Sequence, residues 1–258
     1  MPPLPRPPPS DPHADWPVPQ LVLRCDDLAH PGARLFFQHV NPLEAMREAV
    51  LAVYCWLYTP ETVPREVEKV LLVLRPMPGV AHTFGSEIYK EIHFSLDHIK
   101  NSEARAADEI RGVLTHEMVH CFQFTGVGTP FPGGLGEGIA GAPSSSFASI
   151  LIQNAILLNL HTEDWVRLHA GLAPPHWRAG TGATWDAGYE ATGFFLDWLE
   201  ERYGYGVVSE LNGLMRVRPW DEGIFKELTG RKIAKLWKLY REYVDGRTVD
   251  AFERVSLS

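Results

Sequence analysis

The sequence predicts an α+β fold. Every stretch with strand character lies in the first hundred residues, and from about residue 104 onward apolar residues recur at helical spacing. The chain has 258 residues, 45% of them hydrophobic and 22% charged, which suits one large domain with its own core.

In chain order, residues 1–18 are Pro-rich and polar and read as a disordered leader. Gln20–Cys25 (QLVLRC) reads as a strand and residues 33–39 as a second. Pro42–Leu57 has helical spacing, with Asn41 as N-cap and Pro42 at the first helical position. Residues 67–74 (VEKVLLVL) form the clearest buried strand, and 79–84 and 91–96 are shorter and more alternating. Residues 104–124 fit a long helix with apolar Ile110, Val113, Leu114, Met118, Phe122 and Phe124. A Pro/Gly loop at 129–136 follows. Helical stretches are expected at 135–170, 187–203, 207–215 and 233–244. The domain is placed at 19–246, with a tail at 247–258.

The bulk properties exclude several classes. A formal net charge of -8 gives no reason to expect nucleic acid or an anionic membrane as partner. The three cysteines, Cys25, Cys55 and Cys121, make no disulfide framework. The first residues lack the apolar core of a signal peptide, and the longest apolar run, 147–160, carries Gln153 and Asn154. A cytoplasmic monomer is expected, with no membrane segment. No Gly-x-Ser-x-Gly elbow and no Walker-type loop occurs.

The chemistry is carried by His116-Glu117-Met118-Val119-His120, in the middle of the strongest predicted helix. Histidines at i and i+4 share one helical face, so their imidazoles can converge on one metal. Glu117 beside them suits the polarisation of a metal-bound water. A solvated His/Glu face with no metal is the alternative. A catalytic zinc site needs a third protein ligand and one open position. Gly126 stands where the metzincin pattern requires histidine, so that class is excluded. The next acidic residue is Glu137, on an expected second helix after the Gly/Pro turn; it reads either as the third ligand or as a first-turn acid complementing the helix dipole.

These residues resemble the plant basic secretory protein family, zinc peptidases of plants, fungi and bacteria. The resemblance rests on residues 112–123 (GVLTHEMVHCFQ), 132–140 (PGGLGEGIA), 165–171 (WVRLHAG), 185–189 (WDAGY) and 194–197 (FFLD). It implies a zincin-like fold of the Glu-ligand type, Zn2+ held by His116, His120 and Glu137, and Glu117 as general base acting on a peptide or protein substrate. Relatives in the family are secreted. A catalytically inactive zincin-like binding protein and a zinc amidohydrolase on a non-peptide amide are the alternatives.

The chain departs from the family pattern after Ala140. The Glu-Gly-Ile-Ala block is followed by residues 141–162, and only then by Glu163-Asp164-Trp165-Val166-Arg167-Leu168. The stretch reads as a retained intron, translated in frame, or as a genuine helical insertion. Either would displace the acidic residue, Glu163 or Asp164, expected to orient a metal-binding histidine.

Three further readings concern other residues. Tyr189 is either a phenol that stabilises the oxyanion or a core tyrosine. Asp186 either orients one of the two histidines or caps the helix that follows. In zincins an edge strand before the metal helix pairs with extended substrate, which directs attention to residues 91–96. His93 and His98 are read as structural, and Cys121 as a core residue.

Overall fold

The computed structural model describes residues 15–124 and 162–256. It is a mixed α/β structure built on a small four-stranded sheet. The strands are β1 (Gln20–Cys25), β2 (Lys69–Arg75), β3 (Ala81–Gly85) and β4 (Tyr89–Ser95). Their order is β1-β2-β4-β3, with β1 and β4 parallel to β2 and β3 antiparallel to β4. Parallel strands need a crossover. That between β1 and β2 is made by α1 (Pro31–His39) and α2 (Pro42–Leu57). The run from Val70 to Leu74 is buried residue by residue, as expected of a central strand covered on both faces.

The start of α2 matches its sequence signals. Asn41 Oδ1 accepts from Leu43 N and Glu44 N, and Pro42 occupies the first helical position. Residues 33–39, expected as a strand, belong instead to α1. Pro31 fixes its first turn, and His30 Nδ1 accepts from Gly32 N as the cap. Gly32 permits this helix to lie against the backbone of α3 (Leu96–Asn101); a Cβ there would collide with the Leu96 carbonyl. Ser95 starts α3 by accepting from His98 N, a short helix the sequence reading passed over. Trp16, assigned to the leader, is buried against Tyr54, whose hydroxyl donates to Pro17 O at 3.3 Å.

After a 3-10 turn at Glu103–Arg105 comes α4 (Ala106–Phe122), buried over most of its circumference. It packs against α2, against β3, and against α5 (Thr162–His169). The remaining helices are α6 (Tyr189–Tyr203), α7 (Val207–Met215), α8 (Gly223–Thr229) and α9 (Ile233–Ser256). Helix α8 was not anticipated, and α9 continues through most of the expected tail. Trp185, Phe195, Trp198, Phe225 and Tyr240 form the aromatic centre of this half. Among the described residues no helix is long and apolar enough to cross a membrane.

Helix α5 is fixed to α4 by a part-buried ionic network. Glu109 accepts from His98 Nε2 at 3.0 Å, from Arg105 at 3.3 Å and from Arg167 Nη2 at 3.3 Å. Arg167 also donates to Leu172 O and lies over Trp177. Gly112 leaves room for its guanidinium, since a Cβ there would come within 2.6 Å of it. The hydrogen bond from His98, with the charges of Arg167, His98 and Arg105, holds the Glu109 carboxyl below its ordinary range against the opposing effect of burial. A depressed folded pKa contributes stability above the unfolded value of about 4.3, lost as pH falls from there through the folded value. Glu109→Gln is therefore expected to destabilise the protein by about 2 kcal/mol at neutral pH. The difference from wild type should shrink in acid; urea melts across pH check it, and a constant difference would refute the assignment.

Candidate metal centre

Helix geometry sets the first two groups. His116 and His120 lie one turn apart on α4, with ring centroids 5.1 Å apart and planes at 78°. The third comes from the start of α5. Donor atoms of His116, His120 and Glu163 all lie within 4.8 Å of one another. Among the described residues this is the one cluster of three or more His, Cys, Asp or Glu side chains placed to hold a metal ion.

The neighbours of these groups set their protonation. His116 Nδ1 lies 3.0 Å from Asp164 Oδ1, so an Nδ1–H donor leaves Nε2 for a metal. Burial disfavours the His116 imidazolium, but the Asp164 charge and hydrogen bond, joined by Glu163 and Glu117, raise its pKa to about 9. Burial lowers that of His120, with His116 adding to the effect. Gln123 Nε2 stands 2.9 Å from His120 Nδ1. With the amide turned by half a revolution, Gln123 Oε1 accepts from His120 Nδ1–H, which leaves His120 Nε2 for a metal.

A divalent cation fits this chemistry. Glu117, Glu163 and Asp164 are 5%, 1% and 0% exposed, so three carboxylates are withdrawn from water around two imidazoles. Such a pocket calls for positive charge. A proton on His116 supplies one unit; a bound cation supplies two and displaces the proton. Two histidines and one carboxylate are a ligand set that leaves a fourth position open.

Glu117 sits between the histidines in sequence and is held by the sheet. Thr83 Oγ1 on β3 is 2.7 Å from Glu117 Oε2 and 3.1 Å from Glu117 O. The neighbouring strand β4, weighed for substrate pairing, lies inside the sheet; the edge next to α4 is β3.

The other expected residues are placed as follows. Glu137 lies outside the described residues, as does most of the stretch 141–162. Asp164, expected to be displaced by that stretch, stands beside His116 and does the orienting that Asp186 was weighed for. Nor does Asp186 cap α6, whose N-cap is Gly188 without a side-chain bond. Tyr189 opens α6 with φ 47 and is 44% exposed, so it is no core tyrosine. His93 bonds to Glu91 and His98 to Glu109, and neither belongs to the cluster. Cys121 is buried beside the Glu117 carbonyl. Glu163 was missed as a candidate ligand, although two successive acids at a helix start were its visible signal.

Two part-buried histidines and a buried carboxylate, with a second glutamate beside them on a mixed α/β frame, make a cluster able to hold a metal ion. The chain belongs to the basic secretory protein family, described as peptidases of plants and bacteria, whose pattern matches residues 18–143 and 162–240. The match passes over residues 144–161. No curated protein and no solved structure matches the chain.

Proposed function

We propose that this protein is a zinc-dependent peptidase with a zincin-like fold. The observation that carries the reading is the convergence of His116, His120 and Glu163 donor atoms, with Glu117 on the same helix as the two histidines. Membership of a peptidase family supplies the substrate class. Zinc is favoured over harder cations because two of the three donors are imidazoles. When bound, zinc would supply Lewis-acid polarisation and bring the pKa of water toward neutrality.

The chain's own residues would do the rest. Asp164 and Gln123 hold the two imidazoles by their Nδ1 atoms. Glu117 takes the proton of the attacking water and passes it to the leaving amine. The edge strand β3, tied to Glu117 through Thr83, offers a backbone on which an extended peptide can pair. Tyr189 suits oxyanion stabilisation. It is exposed, and its positive φ directly follows Gly188 at φ 84, a strained backbone of the kind that concentrates at functional sites.

Elemental analysis of the purified protein is expected to give about one zinc per chain, the stoichiometry of a three-ligand catalytic site. Casein or gelatin cleavage should disappear when a chelator removes the metal and return when zinc is added back. A folded chain that binds no zinc would sink the reading. Zinc without cleavage of any peptide or protein would point to a binding protein on the same scaffold.

A further inference from the structure

We propose that Thr83 is a positioning residue for Glu117, setting the orientation of the general base from the edge strand. The proposal rests on the peptidase reading above and adds to it a residue outside every motif that carried that reading.

A glutamate side chain has three rotatable bonds, and a base works only when one oxygen is held toward the water it deprotonates. Thr83 supplies the restraint. Its Oγ1 meets Glu117 Oε2 at 2.7 Å and the Glu117 carbonyl at 3.1 Å. One hydroxyl thus touches both the carboxylate and the helix backbone from which it springs. The hydroxyl has a single proton, and the shorter contact to the charged acceptor takes it. Oε2 is thereby engaged, which leaves Oε1 for the water.

Thr83 is itself well fixed. It is 8% exposed, its strand pairs in register with β4 through Thr83 opposite Ile92, and a β-branched side chain is stiff at χ1. The bond spans β3 and α4, two elements in direct contact. The strand that would align a peptide and the base that would act on it are therefore joined at one atom. A shift of this strand moves the base with it.

The test compares Thr83→Val with Thr83→Ser, each checked for metal content and thermal melting. Valine keeps the β-branched shape and suits a strand, whereas serine keeps the hydroxyl. Two readouts are taken. The first is the 13C carboxyl resonance of Glu117, assigned by its loss in Glu117→Gln; it needs no activity. The second is the kinetics of peptide cleavage.

Thr83→Val is expected to keep its metal and its fold, to move the Glu117 carboxyl resonance, and to lower kcat about 10- to 100-fold with little change in KM. Thr83→Ser should return both readouts toward wild type. A resonance that stays put in Thr83→Val, or a kcat that stays at wild type while the resonance moves, overturns the proposal. So does a Thr83→Ser variant as slow as Thr83→Val. A wild-type chain that cleaves nothing sinks the peptidase reading and this proposal with it. A wild-type chain that cleaves, with Thr83→Val cleaving as fast, sinks this proposal alone.

Discussion

Glutamine in place of Glu117 is expected to slow peptide cleavage by about 10²- to 10⁴-fold, the usual contribution of a positioned general base. Metal content and fold should stay at wild-type levels. The substitution is close to isosteric, so packing at this 5%-exposed position is retained. The amide oxygen can still accept from Thr83 Oγ1, which is 2.7 Å from the carboxylate now. What is lost is the ability to take a proton from water. Removing one of three buried carboxylates also eases their mutual repulsion, so no loss of melting temperature is expected from charge. Cleavage rates, zinc content and melting curves on the same preparation check this. Undiminished cleavage would mean that Glu117 is not the base. Loss of zinc together with loss of fold would mean that its role is structural.

What the sequence made legible was whatever has a local cause. Asn41 and Pro42 announce α2 because capping and a preset φ act within one turn. His116, Glu117 and His120 were readable as a site because helix periodicity alone brings the two histidines together. Residues 33–39 misled because Leu35, Phe36 and Phe37 look like strand material, although Pro31 gave the same signal as Pro42. Thr83 was invisible because its contact with Glu117 depends on how β3 sits against α4, which no local pattern encodes. The Asp164 contact with His116 has the same character, joining helices on either side of residues 125–161.

Glu163→Gln is expected to weaken zinc binding by more than the roughly 10- to 100-fold typical of losing a group that only orients a ligand. Glu137→Gln, made in parallel, tests the position that the family resemblance implies. The family resemblance implies Glu137, in Gly136-Glu137-Gly138, as the third ligand; that position lies outside the described residues, among which the donor cluster contains Glu163. The geometry of α5 shows how Glu163 could serve. Successive residues diverge by about 100° around a helix, so adjacent acids can serve different groups. Asp164 meets His116 Nδ1, and the longer Glu163 side chain comes within reach of both histidines. Helix α6 packs directly against α5 behind this turn; a Cβ at Gly193 would meet the Asp164 backbone in ordinary van der Waals contact, at 3.4 Å. Arg167 anchors the same helix to Glu109 on α4. Helix α5 is therefore packed between α4 and α6. Competition with a chromophoric chelator measures the affinities directly. Loss in Glu137→Gln with none in Glu163→Gln would return the third ligand to the family position and leave Glu163 as a buried neighbour. Loss in both would mean that each carboxylate contributes, and would tie residues on the two sides of 141–162 to one metal.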